Sequence, residues 1–565
     1  MSLYGSIRLA TNALQANQIA MQVVGQNIAN ANTPGYIREE TVLSPATAQK
    51  IGNLSLGLGV QVDGIVQKID NFLEERLRAA VSDQASAEAQ ENTLSQLEQL
   101  VGGLNDNNIS TAMTKFFNSI SDILNQPENV SVRNLAVLNA GTLTQEVNRL
   151  ATEVRQARSD VNDRVRSMAD DINRLIEQIR TLNVRIAETE GGSILKSDAV
   201  GLRDQRLVAL EDLAKLVDIR VIEQDSGGVT VHVGGDYLVA EGISHPVEMS
   251  LSSDRGLEVA GLHLAGTDAP LEPPSGELHG LLVSRDEVLG GFLDQLDDFG
   301  GTLAFEFNRL FSSGQGLHGY SAATSASYVT EIDKPLDQAG LKFTPVNGSL
   351  QVLVYDTKLQ TTQTTNIQVH LLGDDIDTTL QDLAEAVNQV DFLTARVTSD
   401  GRLAITSKSP DQQFAFANDT SGILAALGIN TLFTGSTAGD LGVNQAIASD
   451  PGKFPASLGG IGADTNNAVR LAEFPDQPIA SHNDESITTV YDRLVAEMTQ
   501  DSMVAHAAAD GARAFQQTLS GQKLATSGVS IDEEAITMIT LQKAFQASAR
   551  YIATLKDILD MLVSL

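Results

Sequence analysis

The chain contains no cysteine and no tryptophan, and aromatic residues make up only 4% of it. Without cysteine there are no disulfides, no thiol nucleophile and no zinc-thiolate site. Positive charge is scarce: 38 Lys and Arg stand against 72 Asp and Glu, for a formal net charge of −34. A nucleic-acid-binding surface needs a basic patch, and none is visible, so nucleic acid is excluded as a partner. Long hydrophobic runs are also missing. No stretch approaches the ~18 to 20 apolar residues that span a bilayer, so no membrane insertion is expected. The N-terminus has neither a basic region nor a continuous apolar core before a small-residue site, so no cleaved signal peptide is expected. That reads as cytoplasmic unless export takes another route.

Charge of either sign is almost absent from the first 36 residues, where Arg8 is the single charged side chain. What fills that stretch is periodic. Leu3, Ile7, Ala10, Leu14, Asn17, Met21, Val24 and Ile28 recur at alternating steps of four and three, the seam of a helix that packs along other helices. The other terminus repeats the pattern with Leu541, Phe545, Ala549, Ile552, Leu555, Leu559 and Leu562. Beside the N-terminal seam lie amides: Asn12, Gln15, Gln18, Gln22, Gln26 and Asn27. An exposed helix face normally carries Lys and Glu. Uncharged amides suit a face repeated in every neighbour of a symmetric assembly, where buried like charges are costly. Each terminal helix is expected to become ordered when a neighbour covers it.

At 565 residues, with 42% hydrophobic residues, the chain is soluble in character and too long for one core. The N-terminal helix is expected over Leu3 to Asn30 and is stopped by Asn30-Ala31-Asn32-Thr33-Pro34-Gly35-Tyr36, with Pro34-Gly35 in a type II turn. A glycine-containing extended segment (Gly52, Gly57, Gly59, Gly64) follows, then a second helix from Asn71 to about Leu104. From Thr142 to Glu190 a heptad seam, Leu143 through Val165 to Ile186, predicts a helix of roughly 70 Å that needs long antiparallel partners. Gly276 to Phe311 and Ser486 to about Ser520 can supply them, with weak points at Gly290-Gly291 and Gly300-Gly301. Val229 to Val233 alternates between glycine pairs like a hairpin strand. The region from Gly319 to Pro475 reads as strands, a helix around Leu380 to Val390, then more strands.

The expected fold is therefore α+β and multidomain. Both chain ends form a terminal-helix coiled coil and a long antiparallel helical bundle, and β-rich domains are inserted. The boundaries are 1–60 for an N-terminal axial helix and motif, 61–218 for bundle helices, 219–275 for a β-rich segment and 276–318 for a returning helix. An inserted β-rich region covers 319–480, with an α+β module near 349–430. A bundle helix covers 481–527 and a C-terminal axial helix 528–565. Ser530 and Glu533 could form a capping box at the start of the last helix.

Catalytic signatures are missing: no phosphate loop, no dinucleotide fingerprint, no His-Glu-x-x-His and no Gly-x-Ser-x-Gly. His506 reads as a surface or packing residue. Asp374-Asp375-x-Asp377 lacks the glycine and distal glutamate of a calcium loop and reads as a solvated loop. No enzyme, metal or cofactor is expected.

The segment Asn27-Ile28-Ala29-Asn30-Ala31-Asn32-Thr33-Pro34-Gly35-Tyr36 resembles the motif of flagellar rod, hook and hook-associated proteins. The tail Gly528-Val529-Ser530-Ile531-Asp532-Glu533-Glu534, with Leu541 to Tyr551, is similar to the hook-associated members of that axial family. The likeness covers roughly the first 215 and last 80 residues. Thr379 to Asn388 resembles a small module inserted in flagellins and hook-associated proteins. The resemblance implies a structural subunit at the junction between hook and filament, extracellular on the flagellum and exported unfolded through the flagellar type III apparatus. It implies partners as well: further copies in a ring, the hook protein, a second hook–filament junction protein, and a cytoplasmic chaperone holding the C-terminal helix. It also implies that the terminal helices form an inner tube. The alternatives are another axial protein, such as the hook protein, or a junction protein whose outer domain is also an adhesin.

Overall fold

A computed structural model describes residues 3–51, 54–102, 108–191 and 199–564. They divide into two compact units, one comprising Met1–Thr93, Ser159–Arg285 and Met503–Leu565, the other Leu94–Arg158 and Asp286–Ser502. Gly52 lies outside the described residues.

The first unit contains both chain ends. Its N-terminal helix spans Leu3–Asn30 and its C-terminal helix Ile531–Val563, and the two pack on each other. The N-terminal helix ends as its sequence requires: the Tyr36 amide donates to the Thr33 carbonyl at 3.2 Å, with Gly35 at φ +77°. A side chain at Gly35 would also collide with Cγ2 of Val208. An antiparallel ribbon follows, Glu39–Pro45 against Val60–Gln67, and Asn12 holds it to the helix by donating to the Leu58 carbonyl at 2.9 Å.

Within this unit the 71–93 part of the second helix, Asn71–Gly102, runs antiparallel to the 503–527 part of the helix Ile487–Ser527. Leu73, Leu77, Ala80, Val81 and Leu519 form the apolar contact. Lys523 pairs with Glu74 at 3.0 Å, and Arg513 with Glu88 at 2.9 Å and with Glu91. His506 Nδ1 lies 2.6 Å from Glu91, so this histidine serves the helix pair.

The long helix runs Val130–Glu190. Its 159–190 portion buries Val165, Met168, Ile172, Ile176 and Ile179 against a helix, Val200–Leu216, and against strands, with Leu278 and Leu281 of the returning segment. Helical partners alone were expected, yet strands supply much of the cover. A four-stranded antiparallel sheet runs Arg220–Glu223, Val229–Val233, Asp236–Ala240, Ile243–Ser244, and beside it lies the hairpin Val247–Asp254 and Leu257–Leu264. Three asparagine side chains on the helix join it to the backbone of these strands. Asn162 bonds the Glu258 carbonyl at 3.0 Å and the Ala260 amide at 2.8 Å. Asn173 bonds both polar groups of Val247 at 2.8 and 2.7 Å, and Asn183 those of Val229 at 2.8 and 3.1 Å. Each asparagine satisfies strand groups that burial would otherwise leave unpaired.

The second unit packs around phenylalanines. Phe116 and Phe117, on a helix Ile109–Asn125, meet Phe307, Phe433 and Phe474 with ring centroids 5.4 to 6.2 Å apart. The returning segment is helical over Glu277–Val283, π-helical over Ser284–Leu289 and helical again over Gly290–Ser312. The distortion thus stops at Gly290-Gly291, one of the two expected weak points. At Gly300-Gly301 the helix is unbroken, which corrects the second expectation. These glycines admit a neighbouring loop: a Cβ on Gly301 would lie 2.9 Å from the Ser436 carbonyl and one on Gly300 3.1 Å from Leu441.

The inserted α+β module has two three-stranded sheets. One orders Thr361–Val369, Gly348–Asp356, Gln412–Ala417, the other Ala322–Thr324, Leu403–Ser407, Leu393–Val397. The helix Leu380–Asn388 carries a full capping box between Thr379 and Asp382. Its Leu380, Leu383 and Val387 enter a core that already begins at Tyr320.

Candidate assembly surface at the paired termini

The two terminal helices run antiparallel: Asn27 meets Glu534, and an ideal Cβ on Gly25 would be 3.9 Å from Met538 Cε. Of the N-terminal seam, Ala10 and Val24 are buried, and Ile7, Leu14, Asn17, Met21 and Ile28 are half-buried. The deepest line is offset from it and runs through Ala16, Ala20, Val23 and Asn27. Alanine lets helices approach closely, so the deepest contact follows the small residues Ala16 and Ala20 rather than the expected seam. Of the C-terminal seam, Leu555 is buried, Leu541, Phe545, Ala549 and Ile552 are half-buried, and Leu559 is 37% exposed. The side chains of Leu3 and Leu562 lie outside the described residues.

The C-terminal helix keeps a second apolar line open to solvent: Ile536, Ile539, Tyr551, Ile558 and Met561 are all 40% exposed or more. On the N-terminal helix Gln15, Gln18, Gln22 and Gln26 are exposed, and Arg8 lies over the Tyr4 ring at 5.5 Å, also exposed. Each terminal helix therefore covers one face of the other and leaves another face uncovered.

A buried polar clasp locks the pair. Asn27, 1% exposed, donates to the Glu39 carbonyl at 3.0 Å and to Glu534 Oε2 at 3.2 Å. Its Oδ1 accepts from the Tyr36 hydroxyl at 2.8 Å and from the Glu39 amide at 3.0 Å. Arg38 Nε donates to Glu534 Oε1 at 2.7 Å, and the Arg38 amide donates to the Ser527 carbonyl at 3.0 Å. Glu534 is 1% exposed, and a carboxylate so enclosed is tolerable because a guanidinium and an amide hold both its oxygens.

The rest of the motif is local. Asn30 donates to the Gln26 carbonyl at 3.1 Å and accepts from Thr33 at 3.3 Å, while Asn32, Thr33 and Pro34 are exposed. Ser530 Oγ accepts the Glu533 amide at 3.4 Å, one half of a capping box. The Glu533 carboxylate points instead to Arg38, 3.5 Å away.

Around the clasp, burial and nearby carboxylates favour neutral forms. Burial first, then Glu39, Asp204 and Glu534, push the Tyr36 phenol up. Burial raises the Glu39 carboxyl. Burial and the charge of Glu39 push Asp204 up to about 7, against the opposing pull of the Gln67 amide, the Ile37 backbone and Lys523. Arg38, Glu39, Asp204 and Glu534 were not singled out as site residues. The available signal was charge complementarity: Arg38 is the first charge after Arg8, and Asp532-Glu533-Glu534 is an acidic run at the other end.

In the inserted module, ligand-capable atoms of His370, Asp374 and Asp377 lie within 4.8 Å of one another. Both Asp377 oxygens already accept amides, from Leu372 at 2.8 Å and Gly373 at 2.7 Å, and His370 lies 3.1 Å from Asp374. These bonds shape the loop.

Residues 94–324 match the family model described as flagellar hook-associated protein FlgK helical domain. Residues 521–565 match flagellar basal body rod FlgEFG protein C-terminal, and residues 7–36 match flagella basal body rod protein. The chain is similar to Flagellar hook-associated protein 1 of Bacillus subtilis, at 24% identity over 100% of this chain and 98% of the relative. It is likewise similar to Flagellar hook-associated protein 1 of Escherichia coli, at 24% identity over 99% of each. The solved flagellar hook junction protein FlgK of Burkholderia pseudomallei aligns with 80% of this chain and 99% of its own, at 16% identity and a TM-score of 0.49. Rod-type segments at both ends and a hook-associated helical domain between them define the class, a structural axial component of the flagellum. Within that class, the two relatives that it resembles over nearly its whole length are both named Flagellar hook-associated protein 1. Among the described residues no helix is long and apolar enough to cross a membrane.

Proposed function

We propose that this chain is a structural subunit of the hook–filament junction and assembles through its paired terminal helices. The observation that carries the reading is the two-faced terminal pair. One face is closed within the chain by the clasp, and the other presents Ile536, Ile539, Tyr551, Ile558 and Met561 to solvent. Apolar residues arrayed along a helix are favourable there once a neighbouring copy covers them. The uncharged glutamines beside them suit repetition in a ring, since no charge is multiplied by symmetry.

The reading extends to neighbours and route. Hook protein lies on one side of the ring and a second junction protein on the other. Subunits leave through the flagellar type III apparatus, with a cytoplasmic chaperone shielding the exposed apolar line of the C-terminal helix before export. Deletion of the gene, followed by electron microscopy and blotting of the medium, tests it. Hooks without filaments and flagellin shed into the medium are expected. Loss of hooks would refute the junction role in favour of a rod or hook role.

A further inference from the structure

The segment that carries the clasp rests on the helix Val200–Leu216 through two side chains. Val208 lies against Gly35, where an added Cβ would collide with it. One turn earlier, the half-buried Asp204 accepts the Gln67 side-chain amide from the strand Val60–Gln67, and the Ile37 backbone also favours its charge. The Gln67 amide reaches the Val200 carbonyl as well, at 3.5 Å. The same helix sends Ala209, Leu210 and Leu213 into the core of the unit. Asp204 therefore pins the ribbon and the clasp segment to a fixed support.

The charges around that pin do not balance. Glu39, opposite Gln67 in the ribbon, is 7% exposed, and no cation holds its carboxyl among the described residues. Tyr36 feels the charges of Glu39, Asp204 and Glu534 alike, so the three acids form one cluster. Arg38 is committed to Glu534 at 2.7 Å. Lys523 draws on Asp204, but Glu74 at 3.0 Å and Glu211 at 3.7 Å already hold it. Lys68 turns to Glu40 at 3.9 Å, and on the helix itself Arg203 is engaged by Glu190 and Glu223 at 2.8 Å each. Full ionisation of such a cluster is costly, so it keeps a proton near neutral pH. Burial and the charge of Glu39 place that proton on Asp204, which is pushed up to about 7.

We propose that Asp204 is a proton-operated catch, which holds the clasp segment and the ribbon on the helix Val200–Leu216 while protonated and loosens them when it ionises. The neutral acid still accepts from the Gln67 amide through its carbonyl oxygen and does not repel Glu39. The anion repels Glu39 and loses hydration where it sits. Opening the contact returns Asp204 to water and to its ordinary 3.8, so opening grows easier as pH rises from about 4 to 7 and levels off above that. The catch does not depend on the assembly reading, because every group in it belongs to a single chain and a single unit.

Hydrogen exchange of the full chain at pH 5 and pH 8 tests the catch, with each rate normalised to that of unstructured peptide at the same pH. Linkage allows a fall in protection of up to ~10² for this shift, and a fall of at least about tenfold is expected at residues 36–45 and 60–67. Protection of 165–180 should stay the same at both pH values. In Asp204→Asn the ribbon should remain protected at pH 5 and pH 8, because the amide keeps an acceptor for Gln67 and has no proton to lose. Glu39→Gln should shrink the fall, because it removes the charge that opposes ionisation. An unchanged fall in either variant, low protection of Asp204→Asn at both pH values, no fall in the parent, or an equal fall at 165–180 would each overturn the proposal.

Discussion

Replacing Asn27 with alanine removes the centre of the clasp, and the structure sets the size of the effect. Four hydrogen bonds disappear, to the Glu39 carbonyl and amide, the Tyr36 hydroxyl and Glu534. Each neutral bond contributes about 1 kcal/mol net, and each buried group left without a partner costs about 1 to 3 kcal/mol. Arg38 still holds Glu534, and water entering the gap recovers part of the loss, so about 3 to 4 kcal/mol is expected. The loss should be local, because the bonds made by Asn27 itself join only the terminal helices and the 36–39 segment. Hydrogen exchange read segment by segment is the assay. At 1.4 kcal/mol per factor of ten, protection of residues 3–30 and 531–563 should fall by about 10² to 10³, and that of 165–180 should not change. Asn30→Ala is the control, because its bonds to Gln26 and Thr33 stay within the helix end, and it should cost under about 1 kcal/mol. Terminal helices exchanging at the parent's rate in Asn27→Ala would refute the clasp. Equal loss throughout the first unit would refute its local character.

Asp204 titrates near 7 when folded, above its ordinary 3.8, so the folded state holds the proton more tightly and this contribution to stability is lost as pH rises from about 4 to 7. After discounting for partial solvation the effect is about 1 to 2 kcal/mol; urea midpoints at pH 5 and pH 8 should converge in Asp204→Asn, and an unchanged gap would reject the assignment. Gln15→Glu, Gln18→Glu and Gln22→Glu combined should leave the monomer's thermal midpoint within a few degrees and reduce incorporation into flagella, because all three side chains are exposed; normal motility would count against the amide face as an assembly surface. Leu555→Asp with Leu559→Asp should block incorporation while the 165–180 core keeps its exchange protection, and wild-type motility would rule out the C-terminal seam. Gly301→Val should destabilise the second unit by about 1 to 3 kcal/mol, since even a Cβ would sit 2.9 Å from the Ser436 carbonyl, and an unchanged denaturant midpoint would show that the loop yields.

Periodicity made the helices visible and said nothing of what they meet. The Leu143 to Ile186 seam lies in a continuous helix, and the Thr33-Pro34-Gly35-Tyr36 turn forms as its residues demand. Asn162, Asn173 and Asn183 were illegible because an amide on the polar flank of a heptad helix looks the same whether it faces water or a strand edge. The helix Ile109–Asn125 is a different case. Its Ile109, Met113, Phe116, Ile120 and Ile123 keep the same four-three rhythm, so the signal was present. The helix Val200–Leu216 has no side-chain cap and a weakly segregated surface, and sequence alone offered little hold on it. The clasp shows the limit most sharply. Asn27 and Tyr36 stood out through resemblance, whereas Glu534, 507 positions away, sits in an acidic run at a helix start, where an acid favours the N-terminus whether or not it has a partner. Its near-complete burial says otherwise: a dipole-stabilising acid works while exposed, but an enclosed one requires Arg38 and Asn27. An N-terminal helix whose single charge is Arg8 thus fits a chain whose next charged residue, Arg38, is the one that fastens its two ends.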